Sequence, residues 1–308
     1  MLSIPMNAQV LRVLKDGPLP LSVVREVVEA PPTTMRGHLR ELIGAGVLRQ
    51  VRREIPPVQL HVTLAPAGYG LLPVGGALDL WLTSAPDREI EPGTSAAKRS
   101  IKALVQGWSH CILRAIAARP LSLTQLDGLI PTLTYPALER RLTAMRDAGL
   151  LVACPGEGRG TPYAATGWLR RAIGPLAAAA LWERTYIPKA SAPIGRLDIE
   201  AAFLLAVPLL ALPSGLSMTC RLAVAMRHGD DHDFAGVRIT VRDGEILSCT
   251  SRLAGPVDAT LTGSTRSWLR AVIDGEPQHL EQSGGDRGLA AVLIDSFHGA
   301  LFRVPQHP

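Results

Sequence analysis

The chain has 308 residues, more than one hydrophobic core usually organises, so its length predicts two or three domains. Hydrophobic residues make up 47% of it, which excludes general disorder, and aromatic residues make up only 4%, so the cores must be mainly aliphatic. A formal net charge of +5 is compatible with nucleic-acid binding but does not establish it.

The cysteines, the N-terminus and the longest apolar run indicate a soluble cytoplasmic protein. The sequence has no CxxC pair, so we expect reduced thiols without a disulfide framework or zinc site. The N-terminus lacks the basic and apolar regions of a signal peptide. The apolar run 201–212 is too short to span a bilayer and contains Pro208, so it predicts a buried helix and no membrane association. The cysteines are Cys111, Cys154, Cys220 and Cys249.

One sequence pattern occurs twice in the first two thirds of the chain. Residues 10–28 match 112–130 at an offset of 102, and residues 35–48 match 138–151 at an offset of 103. Because the matches keep their order over about 80 residues, they predict two copies of one structural unit. Single residues also correspond, namely Gly68 and Tyr69 with Gly167 and Trp168, and Trp81 with Trp182.

The first copy predicts three helices followed by a β-hairpin. The helices are expected over 8–16, 21–29 and 33–45, and the hairpin over 46–64. We expect Thr33 or Thr34 to cap the third helix and Gly46 to end it in the left-handed conformation. The expected buried stripe of this helix is Met35, Leu39, Leu42 and Ile43.

The second copy repeats this arrangement with different exposed residues. Leu138, Leu142 and Met145 form its buried stripe, and Pro136 fits the first helical turn, where a missing N–H costs nothing. A Gly-rich hairpin is expected over 149–166. Polar connectors are expected at 84–100 and 187–195.

Three helices followed by a β-hairpin is the winged helix-turn-helix arrangement, whose third helix enters the major groove of DNA. The second copy resembles the HxlR family of bacterial winged-helix transcription regulators. The resemblance lies in WSHCILRAI (108–116), LDGLIPTLTYPALERRLTAMRDAGLL (126–151) and PYAATGWLRRAIGPLAAAALW (162–182). The first copy departs from the family, since no Trp precedes Val10 and no Pro-Tyr pair follows its hairpin, so its fold assignment depends on the repeat.

Basic residues cluster on the third helix and hairpin of each copy, and we expect them to contact a double-stranded DNA operator. A single arginine is more often a solvated charge, so the prediction of DNA binding depends on the cluster as a whole. Winged helices also serve as protein-binding modules, which is the alternative function of this surface. Arg49 belongs to the same cluster. The predicted contacts are Thr33, Thr34, Arg36, Gly37, His38, Arg40, Arg52 and Arg53 in the first copy, and Arg140, Arg141 and Arg159 in the second.

The resemblance to HxlR regulators, which usually act as homodimers, suggests why the unit is duplicated. A tandem pair can supply both DNA-reading heads on one chain as a pseudo-dimer, although the whole chain could still form a homodimer. The exposed residues of the two third helices differ, which predicts an asymmetric operator. Alternatively, one copy has lost DNA contact and become a dimerisation module. Pro136, Ala137 and Glu139 make that copy the second, since glutamate repels phosphate.

The last third of the chain has a different pattern. Residues 218–252 alternate as β-strands around a turn at 242–245, and short helices are expected over 264–275 and 286–302. The apolar helix 198–212 and the stretch 255–276 resemble the sterol-carrier-protein-2-like fold, which implies an apolar tunnel for a lipid-like ligand. Its predicted walls, which would otherwise be ordinary core residues, are Phe203, Met226, Trp268 and Phe297.

These observations predict an α+β protein with two tandem winged helix-turn-helix domains followed by an SCP2-like α+β domain. The predicted boundaries are 1–88, 98–188 and 194–308. We expect a DNA-binding transcription regulator that responds to a small apolar ligand held in the C-terminal domain or at the domain junction. The alternative is a lipid-like carrier protein that uses the winged helices as scaffold.

The sequence shows none of the catalytic motifs that would indicate an enzyme. It has no nucleophile elbow, P-loop or HExxH motif, so we predict no catalytic residues and no cofactor. The segment RHGDDHD (227–233) contains potential metal ligands, but it lies at an expected turn, where polar residues are mostly solvated, so we predict no metal site. The Ala-, Arg- and Gly-rich composition indicates a GC-rich bacterial genome.

Overall fold

The computed structural model describes most of the chain, and it is a mixed α+β structure. Among the described residues, no helix is both long enough and apolar enough to cross a membrane. The side chains of residues 5, 32, 53, 59, 227, 228, 231 and 232 lie outside the description. The described residues are 2, 4–28, 31–53, 59–107, 109–155, 160–189, 191–228 and 231–304.

The first copy folds into four helices and a three-stranded sheet of order β1-β3-β2. Strand β3 lies in the centre and is antiparallel to both neighbours. The elements are α1 (Pro5–Val13), β1 (Leu19–Pro20), α2 (Leu21–Val28), α3 (Pro32–Gly44), β2 (Leu48–Arg53), β3 (Gln59–Leu64) and α4 (Pro66–Thr83).

The same order of elements recurs in the second copy, preceded by one additional helix, α5 (Ser95–Val105). Its sheet has the equivalent order β4-β6-β5. Its final helical region is interrupted near Ala172, whereas α4 is continuous. The elements are α6 (Ser109–Ile116), β4 (Leu121–Ser122), α7 (Leu123–Leu129), α8 (Tyr135–Asp147), β5 (Leu151–Ala153), β6 (Pro162–Ala165), α9 (Gly167–Arg171) and α10 (Ile173–Tyr186).

Helices α3 and α8 end in the same way. Gly46 and Gly149 adopt the left-handed conformation, with φ of 71° and 74°, as predicted for Gly46. In both copies the glycine amide donates to the carbonyl oxygen of the residue three positions before the glycine. The amide of the residue after the glycine donates to the carbonyl oxygen five positions before itself, and all four N–O distances are 2.8 to 2.9 Å. These two bonds form a Schellman motif, which satisfies carbonyl groups that the helix leaves unpaired.

The start of α3 differs from the prediction. Neither Thr33 nor Thr34 caps it: the helix begins one residue earlier, after Pro31, and the Met35 amide donates to the Pro31 carbonyl oxygen at 3.0 Å. The physical reason is Pro32, whose fixed φ starts a helix and which has no N–H group to be capped. In the second copy Pro136 lies in the first turn of α8, as predicted.

Part of the predicted connector 84–100 is helical, because α5 begins at Ser95. The Thr94 hydroxyl accepts the Ala97 amide at 3.2 Å and so caps this helix. Ala97, Ile101 and Leu104 are buried along one face at helical spacing. The prediction was wrong here because the charged and small residues of the segment obscured this stripe.

The helix starts also correct one correspondence between the copies. Ala65 is the N-cap of α4 and Thr166 is the N-cap of α9, so Gly68 and Gly167 occupy different helical positions and are not equivalent. Trp81 and Trp182 each lie sixteen residues beyond these caps. The predicted tryptophan correspondence therefore holds, whereas the glycine correspondence was wrong.

The last third of the chain forms a five-stranded sheet of order β11-β10-β7-β8-β9. Strand β10 runs parallel to β7, and the other neighbouring pairs are antiparallel. A short 3₁₀ turn containing Pro208 follows the first helix. The elements are α11 (Arg196–Ala206), β7 (Met218–His228), β8 (Asp231–Arg242), β9 (Glu245–Thr250), β10 (Ala259–Ser264), α12 (Thr265–Asp274), β11 (Glu281–Gly284) and α13 (Leu289–Phe302).

Local predictions for this region are confirmed at its turns. Asp243 and Gly244 have φ of 49° and 80° and connect β8 to β9 in a tight hairpin. Helix α12 is capped by the Ser264 hydroxyl, which accepts the Ser267 amide, and it ends at left-handed Gly275. The predicted turn at 242–245 and the helix over 264–275 are therefore present.

The chain divides into two compact units. The first comprises Met1–Lys102 and Ala178–Ser191, and the second comprises Ala103–Ala177 and Ala192–Pro308. The first copy thus shares a unit with the second half of α10, and most of the second copy shares a unit with the C-terminal sheet. The three predicted domain boundaries concern sequence modules and stay a prediction.

Candidate nucleic-acid interface

Helices α3 and α8 are each anchored by one apolar face. Met35 and Leu138, which are equivalent in the two copies, are both fully buried. Leu39 and Leu42 are buried as well, as the stripe predicts, whereas Ile43 is only partly buried near the helix end. This anchoring fixes which side of each helix remains available to a partner.

The available side of α3 is polar and basic. Thr33, Thr34, Arg36, Gly37 and Arg40 are all exposed. Because their helix is anchored by its opposite face, these side chains are presented on a rigid support.

His38 differs from these residues. Its side chain is only 21% exposed, and its Nδ1 atom lies 3.8 Å from a carboxylate oxygen of Glu41. It therefore lies at the edge of the exposed side, turned partly toward its own module.

Strand β2 extends the basic surface beyond the helix. Helix α3 contacts β2, on which Arg49 and Arg52 are exposed. Arg52 pairs across the hairpin with Leu60, which is 44% exposed. The Arg53 side chain is outside the description. We refer to Thr33, Thr34, Arg36, Gly37, Arg40, Arg49 and Arg52 together as the α3–β2 face.

The arginines of the α3–β2 face have no acidic partner among the described residues. Within the described part of the chain, none of the four is in an ion pair. A guanidinium group without an acidic partner stays available to an anion, and its fork of N–H donors suits a phosphate. The α3–β2 face is thus suited to an anionic partner.

The equivalent side of α8 has a different charge. Counting from the left-handed glycine that ends each helix, Glu139 takes the position of Arg36, and Thr143 takes that of Arg40. Arg140 is exposed, but its Nε atom donates to the Pro136 carbonyl oxygen of its own helix at 3.3 Å. Two cationic positions of the first copy are therefore not cationic in the second.

Two predicted contacts of the second copy need separate comment. Arg141 is half-buried and packs over Gly107, where a Cβ atom would lie 2.9 Å from its Nη2 atom. It is therefore directed toward the turn before α6 and not toward the exposed side of α8. Arg159 lies outside the described residues.

Exposed apolar side chains surround α8. Tyr135 at its first turn is 45% exposed, Leu129 on α7 is 59% exposed, and Val152 on β5 is 48% exposed. This surface is less basic than the α3–β2 face.

Within the first unit, the two copies are joined through their final helices. Trp182 on α10 is buried, and its indole N–H donates to the Ala67 carbonyl oxygen at the start of α4 at 2.7 Å. The Tyr186 ring lies against Gly70, where any Cβ atom would overlap it. Sequence reasoning matched the two tryptophans but gave no sign that one would bond the opposite copy.

Within the second unit, the second copy is joined to the C-terminal sheet through α11. The guanidinium of Arg114 on α6 lies 2.5 Å from the Asp198 carboxylate. Arg170 donates to the carbonyl oxygens of Leu204 and Leu205 at 3.1 and 3.3 Å. Burial lowers the pKa of Arg170 from its ordinary value, and the nearby Cys249 opposes that shift.

The predicted ligand walls of the C-terminal domain pack against one another. The Phe203 ring lies 5.0 Å from that of Trp268 and 6.2 Å from that of Phe297, measured between ring centroids. The Trp268 indole donates to the buried Ala223 carbonyl oxygen at 2.8 Å. Met226 is partly buried against this core. The structure brings the four residues together as core, and their role as ligand walls stays a prediction.

A groove that the sequence analysis did not predict lies in the first unit. It has a volume of about 250 Å³ and is formed by α1, α4 and residues near α5. The available sequence signal was the pair Gly75–Gly76 in the middle of α4, where glycine is unfavourable.

The side chains of 227–232, where the sequence predicts no metal site, lie outside the description. Elsewhere in the described residues, no group of three or more His, Cys, Asp and Glu side chains is placed to hold a metal ion. Comparison of the chain with protein-family models and with curated proteins found no match.

Proposed function

We propose that this chain is a double-stranded-DNA-binding transcription regulator. In this proposal residues 1–88 and 98–188 are winged helix-turn-helix modules of the HxlR kind. Residues 194–308 form an SCP2-like domain, and the protein responds to a small apolar molecule. The observation that carries the proposal is the α3–β2 face. It has four exposed arginines on an anchored helix and its adjoining strand, and none of them is in an ion pair with a described residue.

The chemistry of this face fits DNA better than an acidic protein surface. Arginine side chains neutralise phosphates and release counterions, which supplies affinity. Thr33, Thr34 and Arg36 lie in the first turns of α3, where side chains of a recognition helix reach base edges. Arg49 and Arg52 on β2 would contact the backbone beside the groove.

The two modules are proposed to contribute unequally. Glu139 occupies the position that Arg36 has in the first copy. The second module would therefore repel a DNA phosphate at the position where the first module attracts one. We therefore propose an operator with unlike halves, in which the first module supplies most of the affinity.

The packing of α10 on α4 supports the pseudo-dimer part of the proposal. Two identical chains that form a homodimer must each contribute the same surface to the interface. Here two related helices of one chain meet instead, through the bond between Trp182 and Ala67. A covalently linked pair of this kind needs no second chain to present two reading heads.

Selection from a random library of duplex DNA tests the proposal. The full chain should enrich an asymmetric sequence motif, and its affinity for that motif should fall steeply as salt is raised. If no motif is enriched and a duplex from upstream of its own gene is not bound at low salt, the regulator proposal fails. That result would favour the carrier alternative.

A further inference from the structure

We propose that the groove between α1, α4 and α5 binds a small apolar molecule that carries one negative charge, such as an aromatic or short aliphatic carboxylate. The inference joins three observations: an apolar floor, space left by a glycine pair, and a rim with excess positive charge. Each comes from described residues of the first unit.

The floor of the groove is aliphatic. Leu11 on α1, Leu71 and Leu82 on α4, and Ile101 on α5 all line it, and each is less than 10% exposed. Held on three different helices, these side chains form a pre-formed apolar surface. Burying a ligand's apolar area against such a surface favours binding.

The space in the groove exists because α4 has glycines at its middle. A Cβ atom built at Gly75 or Gly76 meets no other atom within 4 Å. Alanine would therefore fit sterically, and it would favour the helix at each position. Two helix-weakening glycines therefore line the groove at positions where a larger side chain would enter it, which is expected of a binding site.

The rim carries more positive than negative charge. Its charged residues are Arg12, Lys15, Lys98 and Asp79. The Nη2 atom of Arg12 donates to both Asp79 carboxylate oxygens, at 2.7 and 2.6 Å, so this pair is neutral. Lys15 and Lys98 are exposed, and neither has an ion-pair partner among the residues that the structure describes. Both lysine ammonium groups on the rim therefore lack a described acidic partner and are available to an anion.

The volume limits the ligand to a small molecule. Drug-sized ligands occupy pockets of about 300 to 1,000 Å³, and this groove has about 250 Å³. One or two fused aromatic rings with a carboxylate match both the volume and the charge distribution. A long-chain lipid does not.

Binding in the groove does not require DNA, but the idea that such a ligand is the effector rests on the proposed function. Helix α4 forms one wall of the groove and, at its start, accepts the indole N–H of Trp182 from the second copy. A ligand that shifts α4 would therefore act on the contact between the copies.

Titration calorimetry with 2-naphthoate tests the binding directly. The neutral 2-naphthamide and the cationic 2-naphthylmethylamine serve as charge controls with the same ring system. The full chain should bind the carboxylate at least about tenfold more tightly than the amide, a difference of about 1.4 kcal/mol in binding free energy. It should bind the amine more weakly than the amide. Equal affinity for all three probes, or binding of none, would overturn the proposal.

Two variants locate the site. Gly75→Leu should abolish binding of 2-naphthoate because its side chain fills the groove, while circular dichroism shows that the protein remains folded. Gly128→Leu is the matched control, since Gly128 also lies in a helix with no atom within 4 Å of a built Cβ, in the second copy. If Gly75→Leu binds as tightly as the wild type, the groove is not the site.

The charged rim is tested separately. The double variant Lys15→Gln/Lys98→Gln should lose the preference for carboxylate over amide while retaining binding of the amide. Asp79→Asn should strengthen carboxylate binding, because it leaves Arg12 without its acidic partner. An unchanged preference in both variants would contradict the assigned charge.

A separate experiment tests whether a ligand in the groove changes DNA binding. Saturating 2-naphthoate is added to the complex of the full chain with a duplex from upstream of its own gene. A change in DNA affinity that Gly75→Leu removes supports regulation through the groove. Calorimetric binding without that change rejects the effector role and leaves the groove as a binding site. Failure to bind the duplex at all rejects the proposed function instead.

Discussion

The indole N–H of Trp182 donates to the carbonyl oxygen of Ala67 at 2.7 Å, and so joins the last helix of the second copy to the last helix of the first. These two residues are 115 positions apart in the sequence. The Trp182 ring is buried, whereas the bond itself is partly buried, so the bond contributes the modest net stabilisation of an ordinary hydrogen bond. The contact between the copies is therefore specific in geometry as well as apolar.

Replacing Trp182 with Phe should destabilise the first unit. The substitution keeps an aromatic ring but removes the donor to Ala67, and we expect a loss of about 0.5 to 1.5 kcal/mol in the free energy of unfolding. Urea denaturation followed by circular dichroism measures it. Tyr186→Phe is the control, since it also removes a polar group from α10 at a partly exposed site and should change stability by less than about 0.5 kcal/mol. Equal effects of the two variants would show that the bond contributes nothing.

Three glycines of α4 should respond differently to alanine. At Gly68 a Cβ atom would overlap the backbone carbonyl oxygen of Val47, so Gly68→Ala should cost about 1 to 3 kcal/mol or more. At Gly70 it would overlap the Tyr186 ring, which can move, so the cost should be smaller. At Gly75 it meets open space, so Gly75→Ala should stabilise the protein by about 0.5 to 1 kcal/mol. Urea denaturation of the three variants gives the order, and a reversed order would contradict the packing described for α4.

Two of the four thiols should be unreactive in the folded protein. Burial raises the pKa of Cys220 to about 12, with a further contribution from Asp258, and burial raises that of Cys249 to about 12 against the opposing charge of Arg170. At pH 8 only about one such thiol in 10⁴ is ionised. Cys220 is buried, whereas Cys249 is partly exposed like Cys111 and Cys154, so only its raised pKa should slow its labelling. We expect Ellman's reagent to label Cys111 and Cys154 first, and to label all four in guanidinium chloride.

The same shifts give the direction of a pH effect on stability. The folded-state pKa values of Cys220 and Cys249 lie above the ordinary value of 9.0. Below pH 9 both thiols are protonated in both states, and their contribution to stability is fully present. Between pH 9 and about 12 the unfolded chain loses its protons first, so stability should fall as pH rises. Rapid labelling of Cys249 at pH 8, or no loss of stability in this range, would contradict the burial.

Reversing the charge of Glu139 should strengthen DNA binding by the second module. Glu139→Arg restores the charge that Arg36 has in the first copy, so DNA affinity at low salt should rise about tenfold. The slope of log affinity against log salt should become steeper by about one. Glu281→Arg on β11 makes the same change in net charge at an exposed position of the C-terminal sheet. An equal gain in both variants would indicate a nonspecific effect of net charge.

The sequence was sufficient where the structure depends on short-range patterns. The apolar stripe of α3, the left-handed Gly46 and Gly275, and the hairpin turn at Asp243 each depend on a few neighbouring residues, and all were predictable. The N-cap of α3 was wrong because two adjacent prolines outweighed the preference of threonine for that position.

Features that depend on packing between distant segments were not predictable. The groove requires α5 to lie beside Gly75, and nothing local to residues 84–100 predicts that packing. Likewise, the residue type and sequence position of Arg141 predict a DNA contact, but tertiary structure orients its side chain over Gly107. Burial of Phe203 and Trp268 was predicted as one of two alternatives, since a core and a ligand cavity use the same side chains.

The most direct test of the α3–β2 face compares two double variants that lose the same charge. Their affinity for a duplex selected by the wild type is measured by fluorescence anisotropy across a salt series. Arg40→Ala/Arg52→Ala removes two cations from that face, and Arg266→Ala/Arg270→Ala removes two exposed cations from α12. We predict that the first variant loses at least tenfold in affinity at low salt, and that its slope of log affinity against log salt becomes shallower by about two, with an unchanged circular dichroism spectrum. The second variant should bind like the wild type. Equal affinity of both variants for the duplex would contradict the assignment of DNA binding to this face.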